Sequence, residues 1–306
     1  MMRKIFLKLI LLGASVLLMD FLLGKGLDYL QAHAKSGNTK RFDYIAHEMC
    51  ADVVISGSSR CSLHYSPQVF EDSLGMSCYN TGQEGQGIIM QYGWFKLFTK
   101  RYTPKIIIYD VMPAFDYLNG EPNEKYLSLL RPFYHESPID SIILSVDRTE
   151  RLKMLSSCYR HNGHIFQLLK DFVTPYKEDV LKGYRPVDKE MEYDYSTPPE
   201  KASETGLDSL RASYMNRFAQ ECTNKGIKLI FCSSPYYKAP SYYAANFDFI
   251  RDLSKQYDIP FIYHGNDSSY IYDKRLFHNA SHMNRKGAEK YSSQIAHEIK
   301  AFLDRH

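Results

Sequence analysis

Five short apolar runs recur along the chain, at 53–56, 77–79, 106–111, 228–232 and 260–263. Each is rich in residues that suit strands buried on both faces. Helical spacing separates several of them: residues 87–100, then Leu207, Leu210, Tyr214 and Phe218, then 245–256, and last Ala288, Tyr291, Ile295, Ile299 and Phe302. Strand alternating with helix predicts an α/β chain built on a doubly wound, five-stranded parallel sheet. Residues 114–203 interrupt the alternation with prolines at 122, 132, 138, 175, 186, 198 and 199, and with helical pieces such as 139–155. They read as a largely helical insertion between the third and fourth strands, lying over or beside the sheet. It either shapes a cleft or docks another protein.

The other strong constraint is at the N-terminus. Residues 5–23 are nearly continuously apolar, preceded or interrupted by Arg3, Lys4 and Lys8, with Asp20 near the far end. About 20 apolar residues cross a bilayer. The basic residues ahead of the run place the N-terminus in the cytoplasm and the remainder outside. Ala32-His33-Ala34 has the form of a signal-peptidase site but lies well past the apolar run, so a retained signal anchor is expected. The expected organisation is an anchor at 1–30, a juxtamembrane linker at 31–48 and an α/β domain at 49–306. The expected location is the inner (cytoplasmic) membrane, crossed once, with the C-terminal domain outside the cytoplasm.

Of the 306 residues, 44% are hydrophobic and 24% charged, and the net charge of +3 comes from interspersed signs. That composition supports a proper core. It offers no basic stripe, so nucleic acid is not an expected partner. The six cysteines form no CxxC pair, and neither a zinc site nor any other cofactor is expected. Cys222 and Cys232 fall in a helix and a strand, where a small buried hydrophobe is the usual role.

In a doubly wound sheet, ligands sit outside the carboxyl ends of the strands. The first strand ends in Gly57-Ser58-Ser59-Arg60, and the second in Asn80-Thr81-Gly82-Gln83-Glu84-Gly85. The third delivers Asp110. The fifth leads through Asp267 and Asp273 to Ser281-His282-Met283-Asn284, with Gly287 closing the phrase. The fourth, Ser233-Ser234-Pro235, reads as plain turn chemistry. Each of these residues also has an ordinary structural role: serine caps helices, glycine serves positive-φ turns, and a histidine at a helix start can simply bond backbone.

Gly57-Ser58-Ser59, Asn80-x-Gly82-x-x-Gly85 and Ser281-His282-x-Asn284-x-x-Gly287, in that order, resemble the motifs of the SGNH/GDSL hydrolase superfamily. The chain looks most like the membrane-anchored bacterial branch that includes DltD-type and alginate O-acetylation proteins. The resemblance spans about 50–303 without the insertion, and the five strands fit a flavodoxin-like order. It also implies Ser59 as nucleophile, His282 as general base and Gly85 as an oxyanion-hole donor. Asn80, Arg60 and Asp110, at the same strand ends, are further oxyanion or binding candidates, with Arg60 either structural or a contact to a substrate anion. The implied activity is ester hydrolysis or O-acyl transfer on cell-envelope carbohydrate, and a membrane-bound acyltransferase would supply the acyl group in the second case.

Two positions depart from the family. Asn279 stands where the acid three residues before the histidine is usual, and Tyr109-Asp110-Val111 replaces the Asn-bearing third motif. Asp267 or Asp273 offers a substitute acid. The departures leave three readings: a Ser-His enzyme, a catalytically impaired binding or assembly module, and an anion-binding flavodoxin-like protein whose Gly-Ser-Ser turn cradles phosphate.

Overall fold

The computed structural model describes residues 2–195 and 198–305. In chain order the main elements are α1 (Met2–Ala32), α2 (Gly37–His47), β1 (Val53–Gly57), α3 (Ser59–His64), α4 (Pro67–Leu74), β2 (Cys78–Asn80), α5 (Ile88–Phe98) and β3 (Ile106–Asp110). They continue with α6 (Ile139–Val146), α7 (Ile165–Val173), α8 (Ser209–Asn224), β4 (Lys228–Ser233), α9 (Asp248–Tyr257), β5 (Phe261–Tyr263), β6 (Phe277–Asn279), β7 (His282–Met283) and α10 (Arg285–Leu303). The chain forms two compact units. One contains 1–48 and 123–178, and the other contains 49–122 and 179–306.

The larger unit carries a five-stranded sheet in the order β2-β1-β3-β4-β5, parallel throughout. Every residue of β1, β2 and β3 is buried, which explains their unbroken apolar runs: helices cover both faces of a parallel sheet. The chain order reverses between β1 and β3, so the crevice expected at a topological switch point opens beyond their carboxyl ends. The register there is tight, with Gly57 facing Asp110 and Asp110 facing Cys232. Gly57 has φ +147°, and a Cβ there would stand 2.7 Å from the Asp110 carbonyl oxygen; no larger residue ends this strand without moving β3. Residues 179–191 return along the same unit, where the Arg185 N–H donates to the Ser62 carbonyl at 2.8 Å and the Met191 N–H to that of Phe277 at 2.8 Å.

The smaller unit is helical. Residues 31–48, expected as a polar linker, hold the end of α1 and all of α2, whose Arg41, Phe42, Ile45 and Ala46 are buried. The expected helical piece at 139–155 is split. α6 stops at Val146, and the Asp147 carboxylate accepts from the Thr149 N–H at 2.8 Å, so the chain turns before a single helical turn at Glu150–Lys153. Within this unit, α1 packs on the insertion. A Cβ on Gly24 would collide with Ser157, and Asp28 pairs with Arg160 and His161 at 3.0 and 2.9 Å.

Candidate active site

β1 runs directly into α3, so Ser59 is the first helical residue beyond the sheet edge. The N-cap position belongs to Ser58, which makes no side-chain capping bond. The side chain of Ser59 turns instead to His282: Ser59 Oγ lies 2.8 Å from His282 Nε2. His282 sits in the two-residue strand β7, just ahead of α10. Asn284 caps α10 by accepting from the Gly287 N–H at 3.0 Å. Gly287 is required there because a Cβ would meet the Leu276 carbonyl oxygen at 2.1 Å.

The other ring nitrogen, Nδ1, lies 3.0 Å from Asn279 Oδ1. That oxygen also accepts from the backbone N–H groups of Ser281 and His282, both at 3.0 Å. The Asn279 amide nitrogen faces His278 Nε2 at 3.0 Å. Two backbone donors and one ring acceptor therefore fix which way the amide points, and the oxygen is held toward His282. The ring then carries its proton on Nδ1 and offers a bare Nε2 to the serine. Burial, with Arg60 and His278 adding positive potential, pushes the His282 imidazole down from 6.5 to about 4.

Gly85 lies in the loop after β2 with φ +64°. That loop is tied to the end of β1, since the Gln83 N–H donates to the Gly57 carbonyl at 3.1 Å and Gln91 Nε2 donates to the same oxygen at 2.7 Å. Ser59, Gly85 and His282 thus belong to segments joined at one sheet edge. Among the described residues, no three His, Cys, Asp or Glu side chains stand close enough to hold a metal ion.

Asn80, Arg60 and Asp110 are not at the open face. All three are fully buried. Asn80 donates to the carbonyls of Cys61 and Tyr65 and accepts from the Gly82 N–H at 2.8 Å, so it ties the turn that follows β2 to α3. Asp110 and Arg60 pair at 3.6 Å. Asp110 also accepts from Tyr65 at 2.6 Å and from the Ser234 N–H at 2.9 Å. Arg60 donates to Tyr243 at 2.6 Å and to Ser234 Oγ at 3.0 Å. An Asp110 aimed at the reacting centre would repel an oxyanion; here its charge is turned inward onto Arg60. Asp267 and Asp273 are occupied with backbone N–H groups of Ser269 and Arg275, and the partner of His282 is Asn279.

Two residues stand out in the structure that sequence reasoning passed over. Ser234, read as plain turn chemistry, is the hub of this buried layer. His64, one turn beyond Arg60 on α3, is fully buried. Its Nε2 accepts from the Met283 N–H at 2.8 Å, so its proton sits on Nδ1 and is donated to Ser234 Oγ at 2.8 Å. Burial beside Arg60 keeps this imidazole neutral, well below its ordinary pKa. His64 thereby ties the helix bearing Ser59 to the strand bearing His282. The available sequence signal was a histidine at the end of the helix that follows the Gly-Ser-Ser turn.

No protein-family model and no curated protein matches the chain. Solved structures similar to it include a protein described as lipolytic and of the G-D-S-L family from Desulfitobacterium hafniense, 11% identical, covering 80% of this chain and 98% of that one at a TM-score of 0.37. An acetyl xylan esterase is 11% identical, with 82% and 99% covered and a TM-score of 0.41. An acetyl xylan esterase from the rumen bacterium Butyrivibrio proteoclasticus is 8% identical, with 82% and 64% covered and a TM-score of 0.37.

Proposed function

We propose that the chain is a membrane-anchored serine esterase or O-acyltransferase that acts outside the cytoplasm on esters of cell-envelope carbohydrate. The observation that carries the chemistry is the 2.8 Å contact between Ser59 Oγ and His282 Nε2 at the carboxyl edge of the sheet. In this reading Ser59 attacks the ester carbonyl while His282 takes its proton, then returns it to the leaving alcohol. The N–H of Ser59, one of the first in its helix and so without an intrahelical acceptor, faces the oxyanion together with Gly85. One such donor supplies about 3 kcal/mol of transition-state stabilisation. Hydrolysis follows if water attacks the acyl-serine, and transfer follows if a sugar hydroxyl does. The carbohydrate substrate and the partner acyltransferase rest on the motif resemblance alone.

The anchor reading rests on α1, 31 residues long with a mean hydropathy of 2.2 over its most apolar window. The packing of Gly24 on Ser157 and the pairing of Asp28 with Arg160 support retention over cleavage after Ala34, because cleavage would strip these contacts from the helical unit.

The test is to incubate the full chain in detergent with a fluorophosphonate probe and a chromogenic acetyl ester, beside Ser59→Ala. Labelling and turnover lost in the variant support the enzyme. An unlabelled wild type favours the second reading, a binding or assembly module. What favours that module is Asn279, an amide where a charged acid would stabilise imidazolium.

A further inference from the structure

The run 5–23 is apolar except for Lys8, Asp20 and Ser15, whose hydroxyl donates to the Leu11 carbonyl at 2.8 Å, and Asp20 is the hardest to place in lipid. A lone carboxylate near the end of a spanning helix is costly. Here it is turned into the protein: Asp20 accepts from Ser156 Oγ at 2.6 Å, from the Ser157 N–H at 2.6 Å and from the Cys158 N–H at 3.3 Å. Its neighbours Phe21, Leu22 and Leu23 remain exposed on the other faces of α1. The helix is therefore largely apolar to Leu23, and in that stretch Asp20 alone is drawn against the insertion. Nineteen residues at 1.5 Å each span about 29 Å, close to the hydrocarbon thickness.

This sets the level of the insertion. If 5–23 fills the bilayer, Ser156–Cys158 stand at its outer boundary. Leu155, adjoining Ser156, is 77% exposed, and Leu152, one turn earlier, is 71% exposed. The two leucines are three residues apart and flanked by exposed Arg151. Apolar tips flanked by a cation are the pattern of a segment seated in the headgroup and acyl boundary.

We propose that Leu152 and Leu155 form a second membrane contact, a foot inserted into the outer leaflet beside α1, with Arg151 at the phosphate level. This rests on the anchor reading above. Its occupant is lipid rather than protein because Leu155 directly precedes Ser156, which Asp20 holds against α1 within three residues of the end of the apolar run. The foot would hold the helical unit against the bilayer instead of letting it pivot on a single helix.

The chain has one tryptophan, Trp94, fully buried in the sheet unit, so the wild type is a silent background for lipid quenching. The full chain is reconstituted into phosphatidylglycerol vesicles with plain or brominated acyl chains, as wild type, Leu12→Trp, Leu152→Trp and Leu155→Trp. Leu12→Trp reports the anchor. The foot predicts that the tryptophans added at 152 and 155, seated about 5–10 Å into the boundary, emit about twofold less in brominated lipid. Quenching at 12 with none at 152 and 155 overturns the foot and leaves the anchor standing. No quenching at 12 overturns the anchor, and the foot with it. Both leucines are exposed, so the substitutions leave the fold intact, and circular dichroism checks this.

Discussion

The two layers beneath the sheet edge are built from opposite materials. The outer layer, Ser59, His282 and Asn279, is only partly buried and holds no charge: a hydroxyl, a neutral imidazole and an amide. The inner layer, Arg60, Asp110, His64 and Ser234, is fully buried and contains an ion pair. The charge expected at the proposed centre lies one layer down, where it joins α3, β3 and the turn after β4, while neutral His64 joins β7 to them. Position and reactivity are therefore separable here. Substitutions in the inner layer should act first on stability, and those in the outer layer on rate.

The largest expected effect comes from Asp110→Ala. It leaves the Arg60 guanidinium buried without its counter-charge, and Tyr65 and the Ser234 N–H without an acceptor. Breaking a buried pair by removing one partner costs about 3–5 kcal/mol. Urea unfolding of the full chain followed by Trp94 fluorescence measures it, with Ser59→Ala as the outer-layer control, expected within about 1 kcal/mol of wild type. Equal losses in the two variants would erase the distinction between the layers.

A pH dependence crosses both layers. His282 in the folded chain titrates near 4, and His64 well below its ordinary value, while both titrate near 6.5 in the unfolded chain. Below about 6.5 the unfolded chain binds protons that the folded chain refuses. Their contribution to stability is therefore complete above 6.5 and is lost progressively as the pH falls toward 4. The same depression keeps the proposed base unprotonated, so kcat/KM should hold across mildly acid pH and fall only near 4. An acid limb near 6.5 would mean that His282 is not the base or that its surroundings are wetter than the geometry implies.

His64 is the joint between the layers. His64→Ala leaves the Met283 N–H without an acceptor and should cost about 1–3 kcal/mol. It also frees β7 from α3, so kcat should fall while KM holds. Recovery of kcat in His64→Gln, whose amide oxygen can accept from Met283, would identify the hydrogen bond rather than the imidazole as what matters.

How much of this was legible in the chain follows from where each signal lives. The strands fall within a residue or two of expectation because each is a short apolar run, a local signal, fully buried in β1 and β3 and half-buried in the edge strand β5. Ser59 and His282 were legible because motif order and sheet topology carry them to one edge. The inner layer was not, because its bonds join residues far apart in sequence, such as Arg60 with Ser234 and His64 with Met283. A buried serine at a strand end spells the same as one in a plain turn. Helix α2 was hidden by Asn38, Thr39 and Lys40, polar residues in its half-buried first turn. The joining of α1 to residues 123–178 in one unit depends on Asp20 meeting Ser156, which no local pattern announces.

The smallest effect tests the outer layer directly. Asn279→Asp places a carboxylate where the amide oxygen now stands, among the same donors: the Ser281 and His282 N–H groups and His282 Nδ1. The loss usually attached to an amide at this position comes from an imidazole held in the wrong tautomer, and here the backbone holds the amide oxygen toward Nδ1, so that fault is already corrected. Only the missing charge remains. In the proposed mechanism, restoring it should stabilise the imidazolium formed as Ser59 attacks, raising kcat/KM about tenfold, or about 1.4 kcal/mol. It should also move the acid limb upward from about 4, since a carboxylate favours the charged ring. The two shifts are expected together. A higher limb without a faster reaction would mean that proton transfer to His282 does not limit turnover, and an unchanged limb would mean that the new carboxyl is neutral or turned away from the ring.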